Sequence, residues 1–292
     1  MVMSDNMRGV LLMNVAMLAF TLNDTAMKAV AETLPLFQAI TLRGILTTAG
    51  LVVLAMARGG LRLWPGRRDG RIVALRTLAE VFATLTFLLA LTHMPLANLS
   101  AIMQSLPLAV TLAAALVLRD PIGWRRLSAI GIGFLGVLLI VRPGTEGFDR
   151  WALLGLASVA CVVVRDLSTR TLGGGVPSAT VAIWAGAGVT LLGLSGLSVE
   201  GWAPMTLREG LIVVFASACL VVGYMTVVMV MRVGDIGTIA PFRYTALLWA
   251  ILLGYVVFGA FPDRLTVLGA GIVVATGIYT LLREGSLRRR RR

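Results

Sequence analysis

Apolar residues run along this chain in blocks of about twenty, each nearly free of charge and each ended by arginine, glycine or proline. As an α-helix, a block of that length crosses about 30 Å of hydrocarbon. The pattern predicts ten such helices, at 8–30, 34–57, 72–92, 96–118, 124–141, 150–171, 177–198, 208–231, 236–259 and 264–283. Connections between them are short, so consecutive helices form antiparallel hairpins. The predicted fold class is an all-α integral membrane protein.

Composition agrees: 58% of the 292 residues are hydrophobic and 14% are charged, and mean hydropathy is +0.91. A water-soluble domain needs a more polar surface than that. The formal net charge of +12 does not imply nucleic acid, because the basic residues sit in loops and at the C-terminus. Cys161 and Cys219 both fall mid-span, where no disulfide framework is expected. The opening "MVMSDNMRG" leads into a block too long for a signal core, so the first span is expected to be retained.

Arginine placement sets the expected orientation. With the N-terminus in the cytoplasm, the inner loops hold Arg8, Arg58, Arg62, Arg67, Arg68, Arg71, Arg76, Arg119, Arg125, Arg126, Arg170 and Arg232, and the tail adds Arg283 and Arg288 to Arg292. The outer loops hold only Arg142, Arg150, Arg208 and Arg264. The positive-inside rule then places both termini in the cytoplasm. The terminal arginine run reads as an anchor on anionic lipid.

The two halves resemble each other weakly. "NDTAMK" at 23–28 parallels "RDLSTR" at 165–170, and "LPLFQAI" at 34 parallels "VPSATVA" at 176. "GIGFLGVLLI" likewise echoes "GAGIVVATGI". A five-helix unit crosses the membrane an odd number of times, so its second copy enters upside down. Inverted repeats of this kind belong to secondary transporters. The halves are expected at 1–143 and 144–292, around a central cavity.

Asn23, Lys28, Arg43, Pro107 with "RDPIGW", and "APFRYTALLWA" followed by "FGAFPD" carry a further resemblance. On these residues the chain resembles the drug/metabolite transporter superfamily, EamA type, and within it most closely the YddG-type bacterial amino-acid exporters. That resemblance implies ten helices in two five-helix halves and export of small metabolites. One departure is Ala260, where many members carry a glutamate.

Seven ionisable residues lie well within spans: Asp24, Lys28, Arg43, Glu80, Arg165, Asp166 and Arg243. A rise of about 1.5 Å per residue puts the first three in the outer half and the rest in the inner half. Asp24 and Lys28, Glu80 and Arg76, and Asp166 and Arg170 are spaced to pair along one helix face. Glu80 and Asp166 are candidate partners for Arg243. The seven together form a candidate pair of gates, one per side of the membrane. Static interhelical pairing is the competing role.

Cavities for small metabolites are mostly apolar with a few placed polar groups. Candidate lining residues are Asn23, Phe82, Thr86, Gln104, Ser105, Trp184, Tyr224, Tyr244 and Trp249. Such a lining suits a neutral or zwitterionic small molecule better than a polyanion. His93 is the single histidine, and no HExxH, CxxC pair, Ser-His-Asp set or phosphate loop is present. No metal site, cofactor or catalytic set is therefore expected. The leading function is a secondary exporter of small metabolites, most of all amino acids, by alternating access. Export of another neutral or cationic metabolite or drug, and an integral-membrane enzyme, are the alternatives.

Overall fold

The structure is a computed structural model that describes residues 5–57, 64, 66–120, 122–143, 149–173, 175–230 and 236–291. Arg58, Arg62, Arg232 and Arg292 lie outside the described residues, as do the side chains of Arg67 and Arg288 to Arg291. Among the described residues every regular element is helical.

Ten helical segments are long and apolar enough to span a membrane: Asp5–Val30, Leu36–Ala57, Arg68–His93, Leu96–Val117, Trp124–Val141, Trp151–Arg170, Ser178–Glu200, Leu207–Val230, Ala240–Phe258 and Arg264–Arg283. They are called the first to tenth spans below. Each matches a block in the hydrophobic pattern to within a few residues, because end signals in the sequence are local. Pro177, for instance, caps the seventh span at its start. All ten spans contribute to one continuous apolar core.

Two spans are interrupted, and proline is the cause in both. Pro107 has no N–H to give the carbonyl four residues back, at Met103. The fourth span therefore divides into Leu96–Met103 and Leu106–Val117, with Ser105 N donating to Ile102 O at 3.0 Å across the join. Pro241 similarly lies in a 3₁₀ segment, Ala240–Tyr244, before the ninth span continues as Thr245–Phe258.

Packing between the spans follows a regular scheme. The first packs along the eighth, and the third along the sixth. The first also meets the ninth, as the sixth meets the fourth. The second touches the eighth, and the seventh touches the third. The remaining large contacts join second to seventh and fifth to tenth.

Glycine sets the spacing of the second and seventh spans. A Cβ on Gly44 would lie 2.5 Å from Thr190 Oγ1, and one on Gly193 would lie 2.7 Å from the backbone N of Thr41. Threonine on one helix thus seats on glycine of the other in both directions, which brings the two backbones close. Arg43 is next to Gly44, so this contact fixes the depth and direction of its side chain.

Candidate functional site

Arg43 is 6% exposed, deep in the second span. Its Nη1 donates to Asn23 Oδ1 at 3.4 Å, and its Nε is buried without a hydrogen-bond partner. Asn23, on the first span, donates from Nδ2 to Asp24 Oδ1 at 2.9 Å. The amide thus bridges the guanidinium and the carboxylate, which do not touch. Ser217 of the eighth span donates to the Arg43 carbonyl at 3.5 Å.

A second cluster joins the third and sixth spans. Arg165 pairs with Glu80 at 3.3 Å and with Asp166 at 2.9 Å, and Arg76 lies 3.9 Å from Glu80. Arg76 Nε also donates to Thr169 Oγ1 at 3.0 Å. Arg43 is seven residues in from Leu36 and Arg165 fourteen in from Trp151, so their depths differ by roughly 10 Å at 1.5 Å per residue. Tyr224, on the eighth span, is within electrostatic reach of both, interacting with Glu80, Arg165, Arg76 and Arg43. Its ring meets Phe20 edge-on at 5.7 Å. Its hydroxyl has no hydrogen bond among the described residues and is not sealed in the packing.

The span ends away from Arg76 are tied together. Gln38, fully buried, exchanges two hydrogen bonds of 2.9 Å with the backbone of Ala203. The backbone N of Phe37 donates to Glu200 at 2.9 Å. Lys28 donates to the carbonyls of Leu91 and Met94 at 2.6 and 2.9 Å, and stands 5.6 Å from the Phe258 ring centre. Between the ninth and tenth spans, Asp263 pairs with Arg142 and caps Thr266. Partial burial pushes the Asp263 carboxyl up, but the Thr266 N–H, the Arg142 guanidinium and the Thr266 hydroxyl together hold it below the ordinary 3.8.

Residues 7–142 match the model of the EamA-like transporter family. The pseudopaline exporter CntI of Pseudomonas aeruginosa (strain UCBPP-PA14) is 24% identical over 271 residues, covering 92% of this chain and 94% of the exporter. The chain belongs to the drug/metabolite transporter superfamily, EamA type. This EamA transporter is also 24% identical to the S-adenosylmethionine uptake transporter of Rickettsia prowazekii (strain Madrid E), across 72% of this chain and 71% of that one. It is 25% identical to the riboflavin transporter of Brucella anthropi, across 68% and 71%. A crystal structure superimposes with a TM-score of 0.64 at 22% identity, covering 94% of this chain and 96% of the other, which supports the fold. The molecule is a multi-pass inner-membrane transporter of a small molecule, not an enzyme.

Several ion pairs of this EamA transporter differ from those expected on helix periodicity. Lys28 reaches backbone carbonyls at the end of the third span instead of Asp24. Asp166 pairs with its neighbour Arg165, and Arg170 lies 3.7 Å from Asp120. Arg243 is exposed on the 3₁₀ segment and makes no ion pair with Glu80 or Asp166, whose charges Arg165 already meets. The Glu80–Arg76 pair is present.

The lining candidates also divide. Asn23 and Tyr224 join the charged clusters. Tyr244 is buried with its hydroxyl against Gly277 of the tenth span, and Trp249 packs against the Met13, Met17 and Ile239 cluster. Thr86 and Ser105 spend their hydroxyls on carbonyls of their own helices, at Phe82 and Ile102. Gln104 is buried at the join in the fourth span. Phe82 and Trp184 are 54% and 39% exposed. Ser217 and Thr169 were not among the expected residues; small hydroxyls are frequent in spans, and only the packing singles out these two.

Proposed function

We propose that this EamA transporter carries small organic metabolites, amino acids first among them, out of the cell by alternating access. The single observation that carries it is a set of buried and partly buried charged side chains drawn from four different spans inside a ten-span bundle of a transporter family. Ionisable groups at that depth are costly, and they mark the route of a polar cargo.

The moving parts are two five-span halves, residues 1–143 and 144–292, inserted in opposite senses with both termini in the cytoplasm. In support, replacing each span by the one five further on maps the main packing contacts onto one another. The proline-broken spans are the fourth of each half. The Gln38–Ala203 and Phe37–Glu200 contacts join the halves on the outer side, while Arg76–Thr169 and the Asp69–Gly173 hydrogen bond, at 3.3 Å, join them on the inner side. Opening one set while the other holds is the elementary motion of alternating access.

Relatives named for uptake favour a second reading, in which net flux runs inward. Reconstituted proteoliposomes distinguish the two. A panel of labelled amino acids is measured in both directions, with and without a pH gradient. Saturable, competable flux with net efflux from cells that express the protein agrees with export. Saturable net accumulation by those cells would reverse the direction, and a folded protein that moves no member of the panel removes amino acids as cargo.

A further inference from the structure

The Arg43 side chain has too few partners for its position. A guanidinium carries five N–H donors in a planar fork. Among the described residues it makes one hydrogen bond, at 3.4 Å, which is the long end of the range. Among the described residues no carboxylate lies within ion-pair distance of it, and its Nε is buried and unbonded. The contrast with Arg165 is direct: that guanidinium touches two carboxylates. A buried charge left without a counter-charge is a large cost. Nothing in the packing of the second span requires a cation at this position, since Gly44 and Thr41 make the contacts that seat the helix.

The surrounding groups state what is missing. Asp24, half-buried, accepts one hydrogen bond among the described residues, from Asn23, and lies on the far side of the amide. The Tyr224 hydroxyl has no hydrogen bond among the described residues. One unsatisfied planar cation and one carboxylate, held apart by an amide that contacts both, form an amphoteric pair. We propose that Arg43 receives the carboxylate of the transported molecule on its Nη edge while Asp24 faces the cationic nitrogen, so that the site selects α-amino carboxylates. The assignment rests on the transport function given above, and it names the chemistry of that cargo. Planar bidentate recognition of a carboxylate is what an arginine supplies and a lysine does not. Asn23 then acts as a positioning residue, keeping the two charges from collapsing onto each other.

Binding to the full-length protein in detergent tests this without any transport step. The probes are α-amino acids with small, aliphatic, aromatic and sulfur-bearing side chains, each beside its carboxamide and its N-acetyl derivative, read by calorimetry and thermal shift. The expected result is that at least one free amino acid binds, and that its carboxamide binds about 30-fold more weakly or worse. Arg43→Gln loses the preference for acid over amide, and Arg43→Lys recovers only part of it. Asp24→Asn weakens the amino acid but leaves the N-acetyl derivative where it was.

Equal binding of acid and carboxamide to the unmodified protein overturns the proposal, as does a panel in which no amino carboxylate binds. The comparison of acid with amide needs no variant, so misfolding of Arg43→Gln cannot obscure it. Amino-acid flux with no acid-over-amide preference would leave the transport function standing and remove this site. Acid-selective binding without flux would do the reverse.

Discussion

The two charged clusters of the interior differ in how complete they are. The Glu80–Arg165–Asp166–Arg76 group sets two guanidiniums against two carboxylates, with every member in contact with another. The Asn23–Asp24–Arg43 group has one guanidinium and one carboxyl group, and they meet only through an amide. A self-satisfied cluster stabilises an arrangement of helices. A cluster short of acceptors is stable only when water or cargo supplies them. The difference separates the group that holds the third and sixth spans together from the group that meets the substrate.

Substitutions sharpen that contrast. The largest loss of stability is expected for Arg165→Gln, which leaves Glu80 and Asp166 partly buried with only Arg76 nearby. The cost is about 3 kcal/mol or more, read as a lowered midpoint in thermal unfolding of the detergent-solubilised protein. Arg43→Gln is expected to cost less than about 1 kcal/mol by the same measurement, because replacing a poorly partnered buried charge removes its desolvation penalty. Equal destabilisation by the two variants would erase the distinction between the clusters.

Gly44→Val comes next. Its side chain meets Thr190 and pushes the second span off the seventh, at about 1–3 kcal/mol for overpacking. It also displaces Arg43, so amino-acid binding should fall with it, while a valine at Gly131, where a Cβ meets nothing within 4 Å, leaves binding unchanged. Asn23→Leu removes the one acceptor of Arg43 and is expected to cost about 1–3 kcal/mol.

The ten spans and their interruptions were legible in the sequence. Hydropathy, arginine and proline are local signals, and the ten blocks, the first-turn role of Pro177 and the breaks near Pro107 and Pro241 all follow from them. Partner choice was not legible. Spacing along one helix makes Lys28 a neighbour of Asp24, but the rotation of the first span against the third points its ammonium at Leu91 and Met94 instead. Asn23 and Tyr224 were identified as polar groups in spans. That Tyr244 and Trp249 turn into packing, while Tyr224 comes within electrostatic reach of both charged clusters, depends on helix faces that hydropathy does not resolve.

The smallest effect concerns the Asp263–Arg142 clasp. Its carboxyl is held below 3.8, so its contribution is present from neutral pH down through 3.8 and is lost only as pH falls through the lower folded value. The side chain of Asp263 is half exposed, which limits Asp263→Asn to under about 1 kcal/mol. Unfolding midpoints of the variant and the parent should differ by a constant amount between pH 5 and 8, the range chosen for the measurement, which lies above 3.8. A difference that grows or shrinks across that range would place another group in the clasp.

Competition in proteoliposomes tests the central claim most directly. Flux of a labelled amino acid is measured against its unlabelled free acid and its carboxamide, in the parent protein. The free acid should compete at concentrations about 30-fold below the carboxamide. Carboxamide that competes as well as the acid would show that Arg43 does not read the carboxylate.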